Sequence, residues 1–402
     1  MDYFPLTHSP LGDILKDLEV ETVADQRSLH RHPELSLQER ETSRFVLEKI
    51  EALNLPYEIV GDYGFIVRLD GAVPGKTVML RADMDALPVA EDDCNLKGPK
   101  AAVSENPGVS HACGHDAHTA VLLSAMKALY RYRARLAGTV LFCFEQAEEV
   151  GGGIFPMMTA LARYQIDRVW GLHVYAGLAS GLISVDPGPR MAGVSSFQIR
   201  LTGQGGHVSR PDLCRNPILC GTHIINQLNA LWATGLDPTK AVTLGISIFS
   251  GGVKSNVIPE TAELAGSLRF FDCEGGKAAF VKLKETINAV AAMDGCQVEY
   301  LSDFEAPYAV INNPETSAIA AHAIEEALGP QYLSTCAPWF ATESMALYLQ
   351  NYPGTFAFLG IENPEKGTGA GHHTTQFEVD SDVLKLGVAA TVNYAVHALE
   401  EP

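Results

Sequence analysis

Nine consecutive residues, Ser110 to His118, carry one thiol, three imidazoles and a carboxylate: Cys113, His111, His115, His118 and Asp116. So dense a set of donor atoms points to a metal centre rather than a solvated loop, because thiolate and imidazole are the ligands that divalent transition metals select. An apolar segment with helical spacing follows at once (Val121, Leu122, Ala125, Met126, Leu129). The cluster is therefore expected where a loop becomes a helix N-terminus, with Gly114 giving Cys113 and His115 the freedom to aim at one point.

Partners for these two are sought at the ends of apolar runs. The run 77–81 reads as a buried strand and delivers Asp83 and Asp85; the run 139–144 ends in Glu145, Gln146, Ala147, Glu148 and Glu149 followed by three glycines; the run 168–172 ends at His173; a later loop carries His372 and His373. In an α/β sheet, ligands bind at the carboxyl ends of the strands. The candidate ligands are then Cys113, His115, Glu149, His173 and one histidine of the 372–373 pair. Five exceed what a single four-coordinate zinc site with an open position can use, so two ions are the economical answer, with the Cys113 thiolate able to bridge them. Enough positive charge would remain to acidify a water and polarise a carbonyl. Glu148, beside Glu149, is left as the base.

The elements that must position these groups alternate between strand and helix through the first half, which implies a mostly parallel sheet with helices on both faces. Two helices are expected within 23–53, broken at His32-Pro33, the second starting near Ser36 with Glu39 in capping-box spacing. His30 and His32 are read as packing or loop-pinning residues. From 193 the order changes to strand 195–201, helix 217–232, strands 241–249 and 260–271, helix 276–292 and strand 297–301. That βαββαβ succession is a ferredoxin-like unit, inserted between hinges near Gly188-Pro189 and Ala306-Pro307. The expected domains are a catalytic domain in two parts, 1–190 and 305–402, and an inserted lid, 191–304. A helix at 314–328, a strand at 354–359 and a helix from Ser381 complete the second part.

The chain has 402 residues and a formal charge of −19, which disfavours nucleic acid or an anionic membrane as partners. There is no secretory leader pattern at 1–10 and no apolar run long enough to span a bilayer, so a soluble, cytoplasmic protein is expected. The eight cysteines show no CxxC pair, which argues against a disulfide framework; apart from Cys113 they read as small buried apolar residues.

Six segments together resemble the M20 metallopeptidase family: RADMDALP at 81–88, HACGHDAH at 111–118, EQAEEVGG at 145–152, GLH at 171–173, GGH at 205–207 and SGGVKSNVIP at 250–259. The likeness is to the amidohydrolase branch, with hippurate hydrolases, plant auxin-conjugate hydrolases and N-acetyldiaminopimelate deacetylases. The resemblance implies two divalent transition-metal ions (Zn, Mn, Co or Ni) held by Cys113, His115, Glu149, His173 and His373. It further implies Glu148 as general base and Asp85 as the acid supporting the metal site. His372, His111 and His118 have no ligand role in this resemblance. It assigns to the inserted domain the roles of lid and dimerisation surface. His207 would polarise the scissile carbonyl, from its own chain or the partner subunit, and Asn256 and Arg269 would hold a substrate carboxylate. The substrate class implied is an N-acyl amino acid or short peptide. Ser344, Thr375 and Asn216 depart from the family's usual residues, the first two near the expected substrate pocket.

Two other readings compete. A cysteine hydrolase using Cys113 with His115 or His118 lacks an orienting partner and leaves Glu148 and Glu149 idle. A binding or regulatory protein with this fold but no catalysis would have little use for an intact base and five ligands.

Overall fold

The computed structural model describes residues 11–306 and 308–400; the 1–10 segment read for a leader and Pro307 of the expected second hinge lie outside them. The first elements are helices α1 (Gly12–Arg31) and α2 (Arg40–Ala52), and both depart from expectation. Helix α1 starts well before residue 23, because its buried face mixes Leu15, Leu18 and Leu29 with the polar Asp25, Gln26 and His30, which blurs the apolar period. Those polar groups are paired: Lys49 donates to Asp25 at 2.6 Å and Gln26 to Asp116 at 2.7 Å. Helix α2 starts at Arg40, and Glu39 makes no capping hydrogen bond with its side chain. Glu34 caps instead, its carboxylate accepting from the Thr42 N–H at 2.8 Å. His30 is buried as expected, whereas His32 is exposed.

The larger sheet is built from β1 (Tyr57–Val60), β2 (Gly64–Asp70), β3 (Val73–Asp83), β4 (Ala137–Glu145), β5 (Arg168–Ala179), β6 (Ile183–Ser184) and the strand Gly354–Glu362. Helix α3 (His115–Tyr132) lies between β3 and β4, and α4 (Ile154–Leu161) between β4 and β5. The strand order is β1-β2-β4-β3-β5, then Gly354–Glu362, then β6. The four central strands run parallel, while β1, β2 and β6 pair antiparallel at the margins. The expectation of a mostly parallel sheet holds for this centre. The β1–β2 hairpin, closed by a tight turn with Gly61 at φ 68°, was not read from the sequence; so short a connection can only join antiparallel strands.

Both faces of the central strands are buried. Val140, Phe142 and Phe144 of β4 share one core with Leu15, Val46, Leu129, Ile324 and Val388 from five helices. The alternate residues Leu141 and Cys143 are fully buried on the other face. This is the double covering that a parallel sheet requires.

By its contacts the chain forms two compact units. The larger comprises the residues up to Arg190, Ile311–Ala337 and those from Leu347 on; the smaller comprises Met191–Val310 and Pro338–Ala346. The smaller unit has a four-stranded antiparallel sheet in the order Val242–Gly251, Thr261–Phe270, Gly193–Thr202, Gln297–Ala306. Helices Pro217–Thr234 and Cys273–Met293 complete it. Its own core contains Phe197, Ile199, Leu201, Ile224, Leu228, Phe270 and Phe280. The segment Pro338–Ala346, with Ser344, belongs to this unit rather than with the rest of 305–402. Its backbone joins where Ala192 donates to the Ala341 carbonyl at 2.9 Å.

All eight cysteines are free. Only Cys143, Cys220 and Cys296 join Cys113 in being buried; Cys94 is exposed and Cys214, Cys273 and Cys336 are half-buried, so the reading of seven buried cysteines is corrected. Among the described residues no helix is long and apolar enough to cross a membrane.

Candidate metal centre

Strands β3 and β4 run in register so that Asp83 lies level with Glu145 at their carboxyl ends. Arg81 ties the two strands together, donating to Asp83 and to Glu145 at 2.8 Å each, with all three side chains buried. Burial would raise the Asp83 carboxyl, but His115, Arg81 and His118 hold it well below the usual range. Asp83 is thereby a fixed anion at the strand end, and Asp85 follows two residues on.

Helix α3 meets these two acids with its first turn. His118 has Nδ1 2.7 Å from Asp83 Oδ1, and its Nε2 accepts the Val174 N–H at 2.9 Å. The second bond fixes the tautomer, so Nδ1 carries the proton. His115, one helical turn earlier, has Nδ1 3.3 Å from Asp85 Oδ1. Its Nε2 is buried with no hydrogen-bond partner and faces Glu149 Oε1 at 3.7 Å. A ring held by a carboxylate on one nitrogen, with the other left over, is how metal-binding histidines are oriented.

Asp85 also shapes the opposite wall. Its Oδ1 accepts the Glu148 N–H at 3.0 Å, and its Oδ2 accepts the Glu149 N–H at 3.1 Å and the Ser36 hydroxyl at 2.6 Å. One buried carboxylate thus sets both a histidine and the Glu148–Val150 turn. Glu149 Oε1 is itself buried without a hydrogen-bond partner and lies 3.4 Å from His373 Nε2. His373 adopts φ 62°, and its N–H reaches the Ala112 carbonyl at 2.8 Å. His372 turns away: its Nε2 accepts the Ala176 N–H at 3.1 Å, and its ring lies against Tyr175 and Phe377.

Cys113 closes the arrangement. It is buried, its Sγ is 3.5 Å from His173 Nε2, and burial pushes its thiol well above the ordinary range. The potential ligand atoms of Cys113, His115 and His173 all lie within 4.8 Å of one another, as do those of Cys113, Glu149 and His373, and of His115, Glu148 and Glu149. All five residues expected as ligands are therefore brought together with Glu148 and Asp85. Two buried donors with no hydrogen-bond partner, in a set of thiol, imidazoles and carboxylate, fit divalent metal: a dication lets Cys113 ionise and satisfies His115 Nε2 and Glu149 Oε1 together.

Over residues 79–397 the sequence matches the pattern of Peptidase family M20/M25/M40. The chain belongs to this peptidase family. Among its relatives are thermostable carboxypeptidase 1 of Saccharolobus solfataricus, 34% identical over 96% of this chain and 97% of that protein, and N-acetylcysteine deacetylase of Bacillus subtilis, 34% identical over 93% and 96%. The crystal structure of a dinuclear metal-binding peptidase of the M20 family from Bacillus subtilis superposes with a TM-score of 0.81 at 29% identity, covering 96% of this chain and all of that one.

Of the other residues singled out in this M20 chain, Thr375 lies in the larger unit, where its hydroxyl donates to Asp92 at 2.7 Å, and His207, Asn216, Asn256, Arg269 and Ser344 lie in the smaller unit. His207 is exposed, and its Nδ1 accepts the Ser209 N–H at 3.1 Å, so a neutral ring carries its proton on Nε2. Asn256 is exposed, and its carbonyl accepts the Val208 N–H at 3.2 Å. Arg269 is half-buried, donates to the Thr342 hydroxyl, and is lowered by burial. Asn216 accepts the Ile218 N–H at 2.9 Å as a helix N-cap, the role an aspartate there would fill.

Asp83 is expected only as one of two acids at a strand end, and three contributors carry no functional expectation from the sequence: Ser36, Glu39 and Gln146. The Ser36–Glu39 spacing predicts a helix cap, whereas both side chains reach the walls of the candidate metal centre through bonds to Asp85 and Ala147. No local pattern distinguishes the two uses.

Proposed function

We propose that this protein is a metal-dependent amidohydrolase that cleaves the amide bond of N-acyl amino acids or small peptides. The observation that carries the reading is the paired turn: Glu149 lies within 4.8 Å of the potential ligand atoms of Cys113 and His373, while its neighbour Glu148 stands in a group with His115 and Glu149. The family, and relatives named as deacetylase and carboxypeptidase, support the same reaction class.

Two divalent transition-metal ions (Zn, Mn, Co or Ni) held by Cys113, His115, Glu149, His173 and His373 would supply Lewis acidity toward the amide carbonyl and acidify a water. Two such ions would be held by the groups Cys113–His115–His173 and Cys113–Glu149–His373, which have Cys113 in common. Glu148 takes the proton from that water as its oxygen attacks the carbonyl carbon, and returns it to the nitrogen as the C–N bond breaks. Asp85 holds Glu148 and Glu149 in place through their N–H groups. His207, with its proton on Nε2, donates to the carbonyl oxygen as negative charge develops there. Arg269 and Asn256 hold the substrate carboxylate, with Ser344 and Thr375 bearing on its specificity.

In this reading the smaller unit is a ferredoxin-like lid and the surface of a homodimer. Its Val242–Gly251 strand lies at the sheet edge with exposed Ile248 and Phe249, and Leu219 and Val253 are exposed as well. An apolar edge of this kind is normally covered. Eight free cysteines suit a cytoplasmic location.

A cysteine-nucleophile reading is disfavoured because burial raises the Cys113 thiol, the reverse of what a reactive thiolate needs. The test is a panel of N-acetyl, N-benzoyl and indolylacetyl amino acids on metal-reconstituted protein. At least one should turn over, chelation should abolish turnover, and Glu148→Gln should lower kcat by about 10²–10⁴-fold with metal still bound. Turnover that survives chelation would remove this mechanism.

A further inference from the structure

The turn that carries Glu148 and Glu149 makes heavy demands on its backbone. Ala147 has φ 52° and ψ 42°, a left-handed conformation that is unfavourable for a non-glycine residue. Gly153 has no room for a Cβ, which would meet the Gln146 carbonyl oxygen at 1.8 Å. Side chains grip this turn from three directions. Gln146 Oε1 accepts the N–H groups of Asp62, Tyr63 and Gly64 at 3.0, 2.6 and 3.2 Å, anchoring the approach to the β1–β2 hairpin. Asp85 takes the N–H groups of Glu148 and Glu149. Glu39 takes the remaining one, its Oε1 accepting the Ala147 N–H at 2.6 Å.

Glu39 has no exposed surface, and its second oxygen, Oε2, is buried with no hydrogen-bond partner. Burial, with the charge of Asp85 adding to it, pushes its carboxyl up to about 7. A buried carboxyl with half its acceptors unused is unfavourable on its own, and the start of α2 does not use it, since Glu34 supplies the cap there. Among the described residues, the one side-chain hydrogen bond of Glu39 outside its own helix end is to Ala147.

We propose that Glu39 is a positioning residue for the hydrolysis: by holding the Ala147 N–H it fixes the left-handed step that sets Glu148 against the metal centre. This rests on the reading of Glu148 as the base. What matters is the reach of the acceptor, not its charge, so two variants separate the possibilities. Glu39→Gln keeps an acceptor oxygen at the same distance, whereas Glu39→Asp keeps the carboxylate but withdraws it by one methylene.

In the metal-loaded full chain, Glu39→Gln should retain kcat within about threefold, whereas Glu39→Asp should lose up to about 10²-fold in kcat, with KM nearly unchanged. Bound metal per chain should stay the same in both. Hydrogen exchange at the Ala147 amide should be slow in the parent protein and in Glu39→Gln and fast in Glu39→Asp. Equal behaviour of the two variants, or a kcat loss that follows metal loss, overturns the proposal. Should the parent protein hydrolyse none of the N-acyl panel, the reading of Glu148 fails by itself. The exchange contrast then still decides whether Glu39 holds Ala147.

Discussion

Asp83 and Asp85, two residues apart, serve the metal centre in different ways. Asp83 is spent on Arg81 and His118 and fixes the strand ends and the α3 turn. Asp85 faces His115 and the two glutamate N–H groups, so Asp85→Ala frees the proposed ligand His115 and the turn of the proposed base Glu148 at once. It should lower metal affinity or kcat by about 10–100-fold, checked by elemental analysis after dialysis against a weak chelator. His30 offers a pH test away from the ligands. Its ring bridges Asp116 at 2.8 Å and Glu91 at 2.9 Å. Burial by itself would lower it, but the two carboxylates more than offset this and raise it to about 10 from 6.5. A raised folded-state value means that the contribution is full below about 6.5 and is lost as pH climbs through about 10. His30→Gln should therefore be less stable than the parent by a few kcal/mol at pH 6, with the gap closing toward pH 10 in denaturant unfolding. The place of Cys113 in a cluster of potential ligands was legible because its neighbours are donors in sequence. The pairing of Asp83 was not, because His118 reaches it from another element and Arg81 ties it to Glu145.

Elements place these side chains by their ends. Helix α3 begins immediately after Gly114, which has φ 93°, and a Cβ there would meet Val174 Cγ2 at 2.3 Å. Only glycine satisfies both limits, and it sits between two candidate ligands, Cys113 and His115. Gly114→Ala should cost about 1–3 kcal/mol of stability and release metal more readily. Thermal unfolding and metal content measured together would check it; a variant matching the parent in both would contradict the close packing seen here. The strands show how far periodicity reaches. The apolar runs of β3, β4 and β5 announced themselves, because strands buried on both faces read as continuous hydrophobic stretches. Helix α1 did not, since its inner face sets ion pairs of Asp25 with Lys49 and Lys127 among its apolar contacts at Leu15 and Leu18. The Ser36–Glu39 spacing failed for a related reason: a cap and a long-range brace use the same residue types, and only the position of Ala147 decides between them.

For the whole molecule, the testable consequence lies in the smaller unit's open sheet edge. Phe249→Asp on the Val242–Gly251 strand should convert the expected dimer to a monomer in analytical ultracentrifugation, while the metal content of the larger unit stays the same. A parent protein that sediments as a monomer would end that expectation. The sequence by itself determined the reaction class, the donor set and the alternation of elements, since these depend on residue types and on periods within a few turns of chain. It also carried the βαββαβ succession of the inserted unit. Only the tertiary structure decided which donors share a point, that His373 faces Glu149 while His372 turns to the backbone, and that residues 338–346 belong with the smaller unit. It alone gave Glu39 and Ser36 their place behind the glutamate turn. The nine-residue cluster supplies two of the five candidate ligands; the others come from strand ends and loops far along the chain, and their meeting is fixed by sheet order and register, which no local pattern encodes.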